Sequence, residues 1–241
     1  MNLSFIPVKT RVVRPPKDEI WDIIDGLEVK DGDIVFITSK ILAIHQGRAV
    51  KVGDASKEEL IRREASAYLP YENKGGFHVN LTVTDNVLIP AAGIDESNAN
   101  GYYVLWPRDA DGLCRAVRAR IIKGSGLSRL GVVMTDSHTT PLRWGVTGIA
   151  IGLAGVEPLR DIRGDVDIFG RKMKVTQVNL VDPLAAMAVL LMGEAAEQTP
   201  IAILRGYGGI GFSESGSMEG FKIPPELDIY QPLLEVMKKW K

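Results

Sequence analysis

The sequence predicts an α+β fold with mixed sheets and packed helices, because short β-branched runs and helical patterns follow one another irregularly. Residues 79–83 and 87–89 flank a turn-forming Thr-Asp-Asn segment, which indicates a β-hairpin. Residues 110–122 carry apolar side chains at helical spacing, and residues 182–192 predict an almost wholly apolar helix. Since no strict strand–helix–strand rhythm connects these patterns, a doubly wound parallel sheet is not expected.

The first half of the chain is predicted to begin with a strand followed by a helix. Acidic residues fill the first turn of this helix and Gly26 ends it, whereas Ser56 caps a second helix that Pro70 ends. A short β-branched run between the two is typical of a buried strand. The predicted elements are a strand at 3–8, a helix at 17–26, a strand at 34–37 and a helix at 57–69.

The second half of the chain contains further strands and helices. Asp182 is a preferred N-cap and Pro183 suits the first helical position, so a buried helix is expected to begin there. An apolar strand is expected to deliver Thr135, Asp136 and Ser137 into a loop. The predicted elements are a strand at 102–106, a helix at 110–122, a strand at 131–134, a helix at 182–192, a strand at 200–204 and a terminal amphipathic helix at 229–240.

Composition narrows the class of protein. With 241 residues and no linker or low-complexity tract, we predict a single domain over residues 1–241, with room for two lobes. The net charge of −1 gives no positive field for binding nucleic acid or an anionic membrane. The longest apolar stretch, residues 146–156, is shorter than the roughly 20 residues that span a bilayer, and the single cysteine excludes an internal disulfide. We therefore expect a cytoplasmic protein without nucleic-acid or membrane partners.

Several familiar kinds of active site are disfavoured. Residues 206–211 read G-x-G-x-x-G, but a dinucleotide fingerprint must open a long helix with an acid about 20 residues later, so a flexible loop is expected. None of the three histidines accompanies a G-x-S-x-G serine, and Cys114 lies within a predicted helix as a packing residue. His138 beside Asp136 is either a metal ligand or, more commonly for a lone loop histidine, a local hydrogen-bonding residue.

Three acidic residues follow apolar elements and form the most informative pattern. Asp95 and Asp136 each follow a predicted strand, and Glu194 follows the buried helix. Each acid alone is typical of a cap or turn. Together they suit a hard divalent cation, which prefers oxygen ligands and leaves positions open for substrate phosphates. Their spacing in sequence does not show that they converge.

Short motifs then match one family in order. The chain resembles the coenzyme F420:L-glutamate ligase family, whose members attach glutamate to a cofactor precursor using GTP. The longest matches are Ala-Gly-Ile-Asp-Glu-Ser-Asn at 92–98, Asp-Ile-Phe-Gly-Arg at 167–171 and Leu-Met-Gly-Glu at 191–194. Shorter ones are Asp-Gly-Asp at 31–33, Ser-Lys at 39–40, Gly-Arg at 47–48, Thr-Asp-Ser at 135–137, Arg143, Gly145, Ala-Ile-Gly at 150–152, Val-Thr at 175–176 and Arg-Gly at 205–206.

The resemblance implies an F420-ligase-like fold and an intertwined homodimer with its active site near the subunit interface. It also implies two divalent cations, Mg²⁺ or Mn²⁺, which bridge the phosphates of GTP or ATP. The implied metal ligands are Asp95, Asp136, Ser137 and Glu194. The implied nucleotide-binding residues are Thr10, Arg11, Ser39, Lys40, Asn98, Met192, Gly193 and Ala195. We expect Asp95, Asp136 and Arg143 to serve catalysis; Arg143, Arg171 and Arg205 are candidates for binding phosphate or carboxylate, or else form structural ion pairs.

The expected activity is therefore a nucleotide-dependent γ-glutamyl ligation, in which an acceptor carboxylate becomes an acyl phosphate and L-glutamate attacks it. Departures from the family pattern leave the acceptor open between an F420 precursor and a folate- or pterin-type cofactor. His45 and Gln46 replace the usual Ala-Glu, and Asp182-Pro183 replaces Asp-Glu at the start of the buried helix. Ile44 stands where the family commonly has lysine, and residues 138–140 replace a loop that ends in Gly-Arg. The alternatives are a non-catalytic nucleotide- or cofactor-binding protein and a metal-dependent phosphohydrolase.

Overall fold

The structure is a computed structural model that describes residues 3–72 and 78–239. The strands are β1 (Ser4–Val8), β2 (Asp33–Thr38), β3 (Ala49–Lys51), β4 (Ala67–Glu72), β5 (His78–Thr84), β6 (Val87–Pro90), β7 (Tyr102–Val104), β8 (Leu130–Thr139), β9 (Val146–Ala154), β10 (Leu159–Asp161), β11 (Gln177–Asn179), β12 (Ile201–Arg205) and β13 (Lys238–Lys239). The helices are α1 (Trp21–Asp25), α2 (Ser39–His45), α3 (Lys57–Glu64), α4 (Ala110–Ser125), α5 (Val181–Met192) and α6 (Gln231–Leu234), with short 3₁₀ turns at Ala91–Gly93 and Pro225–Leu227. The predicted mixture of helices and several sheets is confirmed.

A five-stranded sheet of order β1-β12-β2-β8-β9 forms the centre of the molecule. The β2–β8 pair is parallel and the other neighbours are antiparallel. The side chains of β2 alternate between two buried clusters: Val35 and Ile37 pack with residues of α2 and α4, while Ile34 and Phe36 pack with residues of α5. Burial on both faces explains why β2 reads as a continuous apolar run in the sequence.

A second group of strands lies outside the central sheet. The sheet β13-β4-β5-β6 is antiparallel, and β3 pairs separately with β7. A small cluster that includes Leu60, Ile61, Ile94 and Leu105 forms the core of this region. This region positions Asp95, because the backbone N–H and carbonyl of Asp95 are hydrogen-bonded to the backbone of Val104 in β7. No helix in the described part of the chain is long and apolar enough to span a membrane.

Both predicted N-terminal helices are shorter in the structure. The first begins only at Trp21, because Asp18 accepts a hydrogen bond from the Arg14 backbone N–H and its carboxylate also binds Arg11, which commits this residue to a loop. The second helix has the expected Ser56 cap but ends at Glu64. The chain then enters β4, which pairs with β5, so tertiary pairing overrides the helical pattern there.

The strand end expected before residue 135 and the helix start expected at Asp182 also differ from the structure. Residues 135–137 belong to β8, which continues to Thr139 paired with β9, and do not form a loop. Asp182 does not cap α5, because the N-cap of this helix is Leu180. The Asp182 carboxylate instead accepts hydrogen bonds from the Ala150 backbone N–H and from the Asn179 side chain. Helix α2 was not predicted, because its nearly continuous apolar sequence has no helical period.

The predicted terminal helix at 229–240 is wrong. Only Gln231–Leu234 is helical, and Lys238–Lys239 pairs with β4 as the edge strand β13. The predicted helix end at Trp240 lies outside the described residues. The expected loop at 206–211 is confirmed, since the described residues 206–220 contain no helix to complete a dinucleotide site. Cys114 is fully buried in the core, as expected of a packing residue.

Candidate active site

A cavity of about 410 Å³ opens where the carboxyl end of β2 meets the start of α2. The turn after β6 and the segment around Asp95 form one wall, and β8 with the end of α5 and the loop at 193–200 forms the opposite wall. The cavity is lined by every residue assigned above to metal or nucleotide binding, namely Thr10, Arg11, Ser39, Lys40, Asp95, Asn98, Asp136, Ser137, Met192, Gly193, Glu194 and Ala195. Residues that are remote in sequence therefore converge here.

Asp136 is held on the β8 wall by neutral donors. Its carboxylate accepts hydrogen bonds from the Ser39 hydroxyl at 3.1 Å, from the Ser137 backbone N–H at 2.8 Å and from the indole N–H of Trp106. Burial raises the pKa of Asp136 to about 6, although all three hydrogen bonds oppose the rise. The carboxylate is thus fixed in direction while its charge is poorly solvated.

Asp95 is held on the opposite wall by a positive charge. Its carboxylate lies 2.6 Å from the Lys40 ammonium and accepts hydrogen bonds from the Ser97 backbone N–H and hydroxyl. Burial alone would raise the pKa of Asp95, but the hydrogen bond and charge of Lys40, together with the Ser97 donors, outweigh it and hold the pKa below its usual value. This acid therefore remains ionised near neutral pH.

Glu194 completes the acidic group at the end of α5. Gly193 ends the helix with a φ of 80°, a conformation that glycine adopts without strain, and directs the chain into the loop beside the cavity. Loss of hydration raises the pKa of Glu194, while a hydrogen bond from Ser137 and the charge of Lys40 lower it. The charge of Asp95 raises the pKa values of both Asp136 and Glu194, so Asp95 lies close enough to act on each of the other two acids.

Arg11 and Asn98, which are predicted to bind nucleotide, bind protein groups in this structure, as Ser39 and Lys40 do. The Arg11 guanidinium binds the carboxylates of Asp18 and Asp22, at 2.9 and 2.7 Å. The Asn98 side chain donates a 2.7 Å hydrogen bond to the Ala195 carbonyl. Arg11 thus fixes the N-terminal segment along the cavity, and Asn98 ties together the two loops that flank it.

The three candidate arginines lie elsewhere. Arg143 is exposed in the connection between β8 and β9, because the β8–β9 hairpin continues beyond the cavity. Its guanidinium donates to the Leu142 carbonyl and its backbone N–H to the Thr140 carbonyl. Arg205 binds the buried carboxylate of Asp33 with two guanidinium nitrogens, at 3.0 and 2.7 Å, which makes it a structural ion pair. Arg171 is exposed in the segment between β10 and β11. The structure does not bring the predicted catalytic Arg143 to the acids.

Trp106 and Gly93 are site residues that the sequence analysis missed. Trp106 is 7% exposed and places its indole N–H on Asp136. A Cβ atom on Gly93, whose φ is 70°, would lie 2.3 Å from the Trp106 indole nitrogen, so only glycine leaves room for the ring. Neither residue belongs to a pattern with a recognisable period. The hints in the sequence are the position of Trp106 at the end of a predicted strand and the position of Gly93 within the matched motif at 92–98.

The side chains of the cavity are of the kinds that bind a divalent cation, but they are not positioned around one point. Three carboxylates and the Ser137 hydroxyl are the hard oxygen donors that Mg²⁺ and Mn²⁺ prefer. Within the described residues, however, no three His, Cys, Asp or Glu side chains are arranged to hold an ion. Asp95 is bound instead by the Lys40 ammonium. The residues therefore supply suitable ligands that are not yet assembled into a cation site.

Comparison with known proteins gives this cavity a family context. The family model described as F420-0:gamma-glutamyl ligase matches residues 7–206, which contain the whole cavity lining. The chain belongs to this family. Among its relatives are the coenzyme F420:L-glutamate ligases of Methanopyrus kandleri, 35% identical over 86% of this chain and 87% of the relative, and of Methanothermobacter thermautotrophicus, 31% identical over 96% and 100%. The coenzyme F420:L-glutamate ligase of Archaeoglobus fulgidus is 29% identical over 98% of this chain and 99% of its own.

Because both chains are covered almost completely, the similarity to these γ-glutamyl ligases is not confined to one motif. Asp95, Asp136, Ser137 and Glu194 all fall within the matched range, and so does Trp106. The matched range also includes the scaffold pair Asp33–Arg205. Membership in the ligase family therefore applies to the scaffold and to the cavity together.

Proposed function

We propose that this protein is a nucleotide-dependent γ-glutamyl ligase that joins L-glutamate to an F420 precursor. The observation that carries the proposal is the convergence of Asp95, Asp136, Ser137 and Glu194 around one cavity in a chain of the F420-0:gamma-glutamyl ligase family. The names of the relatives support the choice of glutamate and of an F420 precursor as acceptor. GTP or ATP is the proposed co-substrate.

The reaction requires activation of a carboxylate. The acceptor carboxylate oxygen attacks the terminal phosphorus of the nucleotide, and the nucleoside diphosphate leaves, which gives an acyl phosphate. The amine of L-glutamate then attacks the acyl carbon, inorganic phosphate leaves, and the amine loses a proton to solvent or to a nearby carboxylate. No enzyme nucleophile takes part. The single cysteine, Cys114, is not available as one, because it is fully buried and burial raises the pKa of its thiol.

The cavity offers groups for positioning the charged substrates. Lys40 presents an ammonium that binds phosphate oxygens, and Asn98 keeps the two flanking loops together. Ile41, Ile44 and Val104 supply an apolar wall for a planar ring. Asp95, Asp136, Ser137 and Glu194 would hold two divalent cations, Mg²⁺ or Mn²⁺, which neutralise phosphate charge when bound. Catalysis would then rest on positioning and electrostatics.

A folate- or pterin-type acceptor is the second candidate. Ile44 is buried in the cavity wall, where the family commonly has lysine, so this wall is apolar in place of one phosphate contact. The changed residues 138–140 follow immediately after the cavity residues Asp136 and Ser137, with 138 and 139 as the last residues of β8 and 140 just beyond it. Both departures concern surroundings of the substrates and leave the acids intact. They argue for testing both acceptors side by side.

The experiment combines the purified protein with L-glutamate, GTP or ATP, Mg²⁺ or Mn²⁺, and either acceptor. We expect a product heavier by one glutamyl unit and phosphate release that requires both L-glutamate and the acceptor. Phosphate release without L-glutamate would instead identify a phosphohydrolase. Nucleotide binding without any glutamyl product would identify a non-catalytic binding protein. Asp136→Asn should lower product formation by about 100- to 1000-fold, whereas Asp161→Asn, at an exposed residue that does not line the cavity, serves as the matched control.

We also propose that the protein is a homodimer. Five large apolar residues in two connecting segments are each at least 83% exposed, namely Leu142, Trp144, Ile168, Phe169 and Val175. Exposed apolar groups of this kind mark surfaces that another protein covers, and a second copy of the chain is the simplest partner. Light scattering at micromolar concentration should give twice the chain mass. Trp144→Ser should shift the protein towards monomer, and a monomeric wild type would contradict the proposal.

A further inference from the structure

The Lys40 ammonium sits in an oxygen cage of the kind that a metal cation uses. It lies 2.6 Å from the Asp95 carboxylate, 2.8 Å from the Ser97 carbonyl and 3.1 Å from the Ser97 hydroxyl. Carboxylate, carbonyl and hydroxyl oxygens are also the ligands that hard divalent cations take. In this structure the chain itself therefore supplies the cation that binds Asp95.

Lys40 is also the cationic side chain that lies beside the acids of the cavity. Of the two cationic side chains among the described lining residues, Arg11 is committed to Asp18 and Asp22 outside the acidic group. Lys40 reaches across from the first turn of α2, and a lysine chain has rotatable bonds that allow its ammonium to move by several ångströms. Its charge acts on Glu194 as well as on Asp95.

An ammonium and a divalent cation cannot share the same carboxylate without strong repulsion. A cation that binds Asp95 must therefore displace Lys40, or it binds more weakly because the ammonium repels it. Nucleotide phosphates carry several negative charges and offer Lys40 an alternative partner. Once Lys40 moves to a phosphate, Asp95 becomes available to a cation.

We propose that Lys40 makes cation binding at Asp95 conditional on nucleotide, because its ammonium fills the cation position until phosphate oxygens draw it away. The proposal rests on the proposed function in taking this cavity as the site of nucleotide and cation. It adds an order of events: the cation enters with the nucleotide or after it. It also gives a reason why no three acidic groups are arranged around an ion among the described residues.

The test measures Mn²⁺ binding from the loss of the free-ion signal in electron paramagnetic resonance, without any turnover. Wild type, Lys40→Met and Lys40→Gln are titrated with Mn²⁺ alone and then in the presence of a non-hydrolysable GTP analogue. Lys57→Met is the matched control, because Lys57 pairs with Glu96 in the same segment at 2.7 Å but does not line the cavity. Thermal melting confirms that each variant is folded.

Without nucleotide, both Lys40 variants should bind Mn²⁺ at least about tenfold more tightly than wild type, while Lys57→Met should match wild type. The analogue should tighten Mn²⁺ binding to wild type by a similar factor and should do so much less for the Lys40 variants. Adding Asp95→Asn to Lys40→Met should remove the gain, which assigns it to Asp95.

Equal Mn²⁺ affinity of wild type and the Lys40 variants without nucleotide would overturn the proposal. Tight Mn²⁺ binding to wild type without the analogue, or no Mn²⁺ binding to any form, would overturn it as well. These outcomes are separate from the ligase assignment, which stands or falls on the glutamyl product of the wild-type protein.

Discussion

Asp31, which binds residues 128 and 129 just before strand β8, and Asp136, which lies within β8, show how the same side chain serves the scaffold or the site. Asp31 lies in an exposed turn and accepts hydrogen bonds from the backbone N–H groups of Ser128 and Arg129 and from the Arg129 guanidinium. These bonds lower the pKa of Asp31 to about 2. The Ser128 hydroxyl also donates to Asp31, whereas Asp136 accepts from three neutral donors, and burial in the cavity wall raises its pKa to about 6. Exposure of Asp31 to water and burial of Asp136 therefore explain why the two pKa values shift in opposite directions.

The comparison extends to the other residues that matched the family pattern. Asp33, from the same motif as Asp31, is 1% exposed and is neutralised by Arg205. Asp95 and Glu194 instead line the cavity, where substrates can reach them. Among these four matched acids, Asp31 and Asp33 thus stabilise the scaffold, whereas Asp95 and Glu194 face the cavity. Substitutions in the two groups should affect different measurements.

The largest expected effect is on activity at Asp136. Asp136→Asn keeps the size of the side chain but removes the negative charge that we assign to cation binding. Glutamyl product formation should fall by about 100- to 1000-fold, while the melting temperature changes little. Mass spectrometry of the product and calorimetry of the variant check both halves. Near wild-type activity in Asp136→Asn would show that this carboxylate has no role in the chemistry.

The reverse outcome is expected at Asp33. Asp33→Ala leaves the Arg205 guanidinium without its carboxylate and the Lys30 backbone N–H without its acceptor. Loss of one partner from a buried ion pair typically costs about 3 kcal/mol. Urea unfolding should therefore show a lower free energy of unfolding, whereas the residual folded protein keeps its substrate affinity. A large rise in KM without loss of stability would place Asp33 in the wrong group.

Alanine substitutions at Gly93 and Gly101 distinguish a steric clash with Trp106 from backbone strain alone. Gly93 and Gly101 have φ values of 70° and 84°, but a Cβ atom would meet Trp106 only at Gly93. Both substitutions by alanine should cost about 1 kcal/mol of strain, and Gly93→Ala should cost a further 1 to 3 kcal/mol or so from the clash. Urea unfolding measures the difference. Because the clash moves Trp106 off Asp136, Gly93→Ala should also lose activity, and equal behaviour of the two variants would contradict the role of Trp106.

The smallest effect concerns acid stability. The pKa of Asp31 is below its unfolded value of 3.8, so its ionised form stabilises the fold above about pH 4, and this contribution is lost as the pH falls towards 2. Asp31→Asn lacks the contribution at every pH. The difference in unfolding free energy between wild type and variant should therefore shrink between pH 4 and pH 2. A difference that stays constant with pH would mean that the turn does not depend on the charge of Asp31.

The sequence predicted the acids of the site better than the groups that hold them. Asp95, Asp136 and Glu194 follow apolar elements, a local pattern that a sequence displays directly. The hydrogen bond from Trp106 to Asp136 and the ion pair of Lys40 with Asp95 join residues 30 and 55 positions apart, and no periodicity encodes such contacts. Arg143 was predicted from its motif alone, and the length of the β8–β9 hairpin, which keeps it from the cavity, depends on strand pairing.

The same distinction explains the errors in the fold. Long amphipathic patterns such as α4 survive, because their burial follows from their own sequence. The predicted helices at 57–69 and 229–240 were overridden where β4 and β13 pair with partners that local analysis does not see. Helix α2, which carries Ser39 and Lys40, was missed because both of its sides are buried and its apolar residues run on continuously.

The most direct test of the central claim follows oxygen from the acceptor to phosphate. An F420 precursor labelled with ¹⁸O in the reacting carboxylate is incubated with the wild-type protein, L-glutamate, nucleotide and a divalent cation. If the carboxylate is activated as an acyl phosphate, each glutamyl product formed should release one phosphate that carries a single ¹⁸O atom. Glutamyl product accompanied by unlabelled phosphate would contradict the account, because the carboxylate oxygen would then never have been bonded to phosphorus.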